Sequence, residues 1–73
     1  MPLTFAKRGV KHSVNAIVGK DATRKFLESL GFIVGETVEV VSQNRGNLIV
    51  IIKNTRIALD KSIASRVIVS FNS

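Results

Sequence analysis

Short β-branched runs, separated by turn residues, recur along this chain and leave few folds open to it. The longest run is residues 48–52, five apolar residues in succession, and residues 37–41 precede it with Glu39 between two valines. Gly46 and two asparagines lie between the two runs, which favours a hairpin. An uninterrupted apolar run predicts a strand with both faces at least partly covered. The pattern therefore predicts a small β-rich domain.

Further elements follow from the same patterns. Residues 12–18 alternate imperfectly and end at Gly19, which predicts the first strand. Residues 56–59 and 67–69 predict the fourth and fifth strands, with one helical turn between them at 61–65 that directs Ile63 and Ala64 inward. Residues 1–11 show no sustained period and predict an irregular N-terminal entry.

One helix is expected over residues 21–30. Asp21 is placed to act as its N-cap. Gly31 directly after the helix predicts a left-handed C-terminal position, with Phe32 folding back on the last turn. Phe26 and Phe32 are expected in the core. The apolar residues at helical spacing, which predict the inner face, are Ala22, Phe26, Leu27 and Leu30.

The length and composition of the chain, together with its predicted strands, limit the fold class. Its 73 residues make one domain (1–73), and 45% apolar residues suffice for one small core. Without cysteine and with one histidine, no disulfide framework or Cys/His zinc site is expected. Five short strands and one or two short helices predict an SH3-like antiparallel β-barrel that covers its own sheet edges. No run approaches the roughly 18 apolar residues of a membrane span, so we expect a soluble, cytoplasmic protein.

The order of these elements resembles the FeoA family. The resemblance covers about residues 14–69, but Val34 stands where the family has proline, and the hairpin at 42–47 is shorter. The chain resembles the C-terminal domain of metal-dependent transcriptional repressors almost as well. The matching residues are Leu30-Gly31-Phe32, Val34-Gly35, Val38-Glu39-Val40, Ile57-Ala58-Leu59, Ala64 and Val67-Ile68-Val69.

The resemblance implies a cytoplasmic accessory protein of ferrous iron uptake. The residues themselves predict no catalytic site, metal site or cofactor, because the chain has no Cys and no Gly-rich phosphate loop. Its implied partner is the cytosolic G domain of the ferrous iron permease FeoB. The protein would be associated with the membrane only through this partner. Leu27 is expected at the edge of the apolar stripe, and residues 32–34 leave the helix with three apolar side chains in a row. The expected partner-binding residues are Arg24, Leu27, Leu30, Gly31 and Ile33.

Charge leaves a second function open. The net charge is +6, and cations gather at residues 7–12 and 20–25. They either solvate an apolar-rich domain or mark a contact with an acidic partner. A nucleic-acid-binding or repressor-type domain is therefore the alternative, ranked second because no Tyr or Trp offers a stacking platform. His12 beside Lys11 and five scattered carboxylates do not predict an iron site.

Overall fold

The computed structural model describes residues 1–71 and contains a single five-stranded sheet. The strand order is β4-β3-β2-β1-β5, and every neighbouring pair is antiparallel. This architecture confirms the mainly β fold predicted from the sequence. After a 3-10 turn at Leu3–Phe5, the elements are β1 (Lys11–Ile17), α1 (Asp21–Ser29), β2 (Thr37–Asn44), β3 (Asn47–Ile52), β4 (Thr55–Asp60), α2 (Lys61–Ala64) and β5 (Val67–Phe71).

Two hairpins build the central part of the sheet. Lys53 and Asn54 connect β3 to β4 with φ angles of 49° and 61°, the left-handed pair that a type I′ turn requires. β2 is longer than the sequence pattern predicts, because a register shift between Val40 and Ser42 lets the strand continue past its alternating part. Such a bulge increases local twist and bends the strand, which helps the sheet to curl.

The core lies inside the curled sheet and is closed by α1 and the N-terminal turn. β3 has Leu48, Val50 and Ile52 on the inner face, and Ile49 and Ile51 are half-buried on the outer face. The prediction that both faces of β3 are at least partly covered is therefore confirmed. The remaining buried apolar residues are Leu3, Ala6, Val14, Leu27, Phe32, Val38, Val40, Leu59, Ala64, Val67 and Val69.

One edge strand of the sheet, β5, is covered by another segment of the chain, and the other edge strand, β4, is not covered by any segment that the structure describes. Met1 and Pro2 lie along β5, where the Val69 N–H donates to the Met1 carbonyl at 2.7 Å and Pro2 forms a bridge with Ile68. Within residues 1–71, no strand pairs with the outer edge of β4. The expectation that the barrel covers both of its edges is therefore wrong for β4.

Neither helix in this part of the chain is long and apolar enough to cross a membrane.

Candidate docking surface

Leu27 is the one residue of helix α1 that is completely buried. Thr23 and Leu30 are half-buried beside it. Phe26, expected in the core, is 48% exposed, so that prediction is wrong. Consecutive helical residues point about 100° apart, and only one of Phe26 and Leu27 can face the barrel. The helix is thus rotated toward Leu27, which leaves Phe26 on its flank.

The end of α1 explains this rotation. The Gly31 N–H donates to the Glu28 carbonyl at 3.0 Å, and the Phe32 N–H donates to the Leu27 carbonyl at 3.1 Å. Gly31 has a φ of 109°, which confirms the left-handed position predicted for it. This pair of bonds is a Schellman motif, which turns Phe32 back toward Leu27. Phe32 is fully buried, as predicted, and holds the last turn of α1 against the core.

The start of α1 differs from the prediction. Lys20 occupies the N-cap position and makes no side-chain capping bond, whereas Asp21 is the first helical residue. The prediction of Asp21 as N-cap is therefore wrong by one position. Its carboxylate still lies in the first turn, where a negative charge interacts favourably with the helix dipole.

Beyond the Schellman motif, the chain leaves the barrel with two exposed apolar side chains. Ile33 is 49% exposed and Val34 is 68% exposed. The segment is fixed next to β1, because the Gly35 N–H donates to the Val14 carbonyl at 2.8 Å and the Val14 N–H donates to the Glu36 carbonyl at 2.9 Å. These apolar side chains are therefore presented from a hydrogen-bonded position.

A groove lies between β1 and α1, on the side of the helix that faces this segment. Its volume is about 280 Å³, and Phe32 contributes to its lining. Arg24 and Glu28, one helical turn apart, line the groove from α1, and Val34 also contributes to its lining. We call it the β1–α1 groove; its other lining residues are Asn15, Ala16 and Ile17.

The opposite flank of α1 carries an apolar hollow. Phe26 and Ala22 from the helix meet Ile63 from α2 there, with Thr23 between the two elements. We call this the Phe26 hollow. The two flanks differ in chemistry, because the β1–α1 groove has charged residues on its helical side and the Phe26 hollow has none in its lining.

Cations dominate the surroundings of α1. Lys20, Arg24 and Lys25 are exposed on the helix and its cap, and Arg66 lies next to Gly19 at the start of the connection to α1. Within residues 1–71 a single ion pair occurs, between Lys53 Nζ and Glu36 Oε1 at 3.4 Å. The cations around α1 are therefore free to attract a negatively charged surface.

The titratable groups elsewhere have structural roles. His12 is buried, its Nδ1 lies 2.9 Å from the Val10 carbonyl, and its ring packs edge-on against Phe71 with centroids 5.9 Å apart. Asp60 caps α2 and accepts bonds from the hydroxyl and N–H of Ser62, which lower its pKa. In the described part of the chain, no three His, Cys, Asp or Glu side chains converge as metal ligands would.

The residues expected to contact a partner fall into two groups. Arg24 and Ile33 are exposed, on the β1–α1 groove and just beyond the cap. Leu30 packs partly against the core, and Gly31 is buried. Leu27 has no exposed surface, so the expectation that it lies at an accessible edge is wrong.

Val34 and Phe26 are exposed near the same helix but are not among the five expected contact residues. The run of three apolar residues at 32–34 was a signal for Val34, because one buried Phe32 leaves its neighbours outside. Nothing in the local sequence distinguishes Phe26 from Leu27 as the inner residue.

Together, the antiparallel sheet, the hairpins and the helix after the first strand define an SH3-like barrel domain. The family model for the FeoA domain matches residues 1–70, and the chain belongs to the FeoA family.

Solved structures agree with this assignment. A crystal structure described as the iron uptake regulatory protein FeoA is 33% identical, with a TM-score of 0.85 over 94% of this chain and 92% of that chain. FeoA of Stenotrophomonas maltophilia, complexed with zinc and described as an SH3 domain protein, is 32% identical, with a TM-score of 0.84 over 96% and 89%.

A manganese-dependent transcriptional repressor shares the fold at 16% identity, with a TM-score of 0.87 over 100% of this chain and 41% of the repressor. At this identity the likeness concerns the fold alone. A search of curated sequences returned no match.

Proposed function

We propose that this chain is a non-enzymatic accessory protein of ferrous iron transport that acts at the cytosolic face of the membrane. Its partner is the cytosolic G domain of the ferrous iron permease FeoB. Membership of the FeoA family supports this proposal, and the Stenotrophomonas maltophilia relative is described as a candidate activating factor of bacterial ferrous iron transport.

The observation that carries the proposal is the pair Ile33 and Val34, exposed beside the β1–α1 groove. A domain of 73 residues needs most of its large apolar side chains in the core, and adjacent exposed ones are typical of an interface. The hydrogen bonds between Val14 and residues 35 and 36 hold the pair in place before a partner arrives. Such preorganisation lowers the entropic cost of binding.

The five expected site residues and Val34 then divide into three roles. Arg24, Ile33 and Val34 contact the G domain directly, with the arginine directed to an acidic group and the two aliphatic residues to an apolar pocket. Gly31 and Leu30 act by fixing the exit of the chain from α1. Leu27 anchors the helix to the core and makes no contact with the partner.

The test is a calorimetric titration of this protein with the purified FeoB G domain. We expect Val34→Glu and Arg24→Glu to weaken the affinity by about tenfold or more, because each removes a contact and places an anion at the interface. Phe26→Glu is the matched control, since it introduces the same charge on the opposite flank of α1 and leaves the groove unchanged. Thermal melts of all three variants show whether each remains folded.

Two outcomes would contradict the proposal in different ways. Loss of affinity in Phe26→Glu together with normal binding by the groove variants moves the contact to the Phe26 hollow. Absence of any saturable binding by the wild-type protein rules out the G domain as its partner.

A further inference from the structure

The outer edge of β4 is the open edge of this sheet. β4 is terminal in the strand order and pairs with β3 alone among the described residues. At the other end of the sheet, the edge of β5 is occupied by Met1 and Pro2. Open edges present backbone groups that can bind another strand.

The turn before β4 determines which backbone groups face outward. In a two-residue type I′ hairpin, the residues that flank the turn exchange hydrogen bonds, and here these are Ile52 and Thr55. Alternate residues of β4 follow the same pattern, so Thr55, Ile57 and Leu59 bond to β3. Arg56, Ala58 and Asp60 therefore direct their backbone groups away from the sheet.

The outward-facing residues of β4 in one copy are complementary in charge and size to the same residues in a second copy. If two copies of β4 pair antiparallel about a two-fold axis at Ala58, Arg56 of each copy lies opposite Asp60 of the other. The small side chain of Ala58 meets its own equivalent at the axis. Charge pairs across neighbouring strands stabilise a sheet, whereas like charges in those positions destabilise it.

The hydrogen bonds fit this register as well. Each Ala58 N–H can donate to the Ala58 carbonyl of the second copy, and each Asp60 N–H can donate to the Arg56 carbonyl of the second copy. Each Arg56 N–H can donate to the Asp60 carbonyl of the second copy, because this oxygen has two lone pairs and uses only one of them, as the N-cap, for the first bond of α2. Ile49 and Ile51, half-buried on the outer face opposite Ala58 and Arg56, lie directly behind this contact.

We infer that β4 is the interface of a two-fold symmetric dimer of this chain, formed by antiparallel pairing of the two edge strands about Ala58. The occupant is a second copy, because the register that satisfies the open backbone groups is also the one that pairs Arg56 with Asp60 twice. An isologous contact of this kind closes on itself and does not propagate. The inference is independent of the proposed function, since it uses no residue of the β1–α1 groove.

Sedimentation equilibrium over a range of protein concentrations tests the dimer. We expect the apparent mass to rise from 8.0 kDa toward twice that value. Arg56→Glu should weaken dimerisation by about tenfold or more, because it places one anion opposite Asp60 in each of the two pairs. Arg45→Glu is the matched control: it makes the same charge change at the exposed β2–β3 turn and should leave the dimer intact.

A second measurement uses the absence of cysteine from the chain. Paired residues that exchange hydrogen bonds have Cα atoms about 5.5 Å apart, within the range that a disulfide spans. Ala58→Cys should therefore yield a covalent dimer on mild oxidation, while Ser65→Cys, exposed at the end of α2, should not. A protein that remains monomeric at millimolar concentration overturns the inference. So does a dimer that is unaffected by Arg56→Glu, or equal cross-linking by both cysteine variants.

Discussion

Gly31 determines how the chain leaves α1. Its φ of 109° lies in a region that side chains with a Cβ rarely adopt. A Cβ at this position would also lie 3.2 Å from Cδ of Lys53, but that atom belongs to a flexible side chain that can move. The backbone conformation, more than the contact, is therefore what excludes other residues.

We expect Gly31→Val to lower the free energy of unfolding by about 1–3 kcal/mol, because it forces a β-branched residue into a left-handed conformation. Urea denaturation measures the change. Adding Lys53→Ala to this variant removes the contact with Lys53 and leaves the backbone strain, so it should not restore stability. Recovery in the double variant would assign the cost to the contact instead.

Asp60 links the stability of α2 to pH. The hydroxyl and the N–H of Ser62 donate to its carboxylate at 2.6 Å and 2.7 Å and lower its pKa below the ordinary value of 3.8. Because the folded state favours the ionised form, the cap stabilises the fold above pH 3.8, and this contribution is lost as the pH falls through the lowered pKa.

Asp60→Asn tests this link, since asparagine can cap a helix without an ionisable group. We expect the wild-type protein to have its largest stability advantage over this variant near neutral pH, and the advantage to shrink in acid. Urea denaturation at several pH values measures both proteins. An advantage that stays constant from neutral pH to below 3.8 would show that the Ser62 bonds do not favour the ionised carboxylate.

At the scale of elements, α1 shows what sequence patterns can and cannot predict. The glycine at position 31 correctly predicts where the helix ends, and the spacing of the apolar residues correctly predicts its approximate length. The same spacing did not fix its rotation, because Phe26 and Leu27 are adjacent and equally apolar. The decision depends on Phe32, which packs under the last turn through the Schellman motif.

The N-terminal turn and His12 show the same limit. Leu3 is fully buried, although residues 1–11 have no period that would predict it. His12 follows a lysine in sequence but packs against Phe71, almost the whole chain away. Both side chains are buried by contacts with residues that are distant in sequence. Such contacts cannot be predicted from local sequence patterns.

The rotation of α1 leads to a prediction for two adjacent residues. Leu27→Ala should lower the free energy of unfolding by about 2–5 kcal/mol, since it opens a cavity in the core. Phe26→Ala should cost under about 1 kcal/mol, because this side chain is 48% exposed. Thermal and urea denaturation of the two variants compare them directly. The reverse order of stability would show that Phe26 anchors the helix.

For the whole molecule, the surplus of cations raises the question of nucleic acid binding. The net charge is +6, and the cations at residues 7–12 and 20–25 lie in two separate parts of the chain. A surface of this kind attracts phosphates without reading bases. Among residues 1–71, three of the four Phe are exposed, but Phe5, Phe26 and Phe71 belong to different elements, which does not suit stacking of successive bases.

We therefore expect DNA or RNA to bind weakly and to dissociate by physiological ionic strength, as release of counterions from a few phosphate contacts requires. Fluorescence anisotropy with a labelled oligonucleotide at low and physiological salt measures this. Binding that persists at physiological salt and differs between sequences would favour the repressor-type alternative over the transport function.

The pairing of β1 with β5 has a consequence for synthesis of the protein. β1 leaves the ribosome early, but its longer ladder is with β5, which follows every other described strand in the sequence. At roughly 5–20 residues per second, the nascent chain spends seconds with β1 lacking this partner. The β2–β3–β4 hairpins have local pairings and do not need β1 or β5 in order to form. Closure of the barrel is then the final step, and a ribosome that stalls before Val67 holds a chain with its core still open.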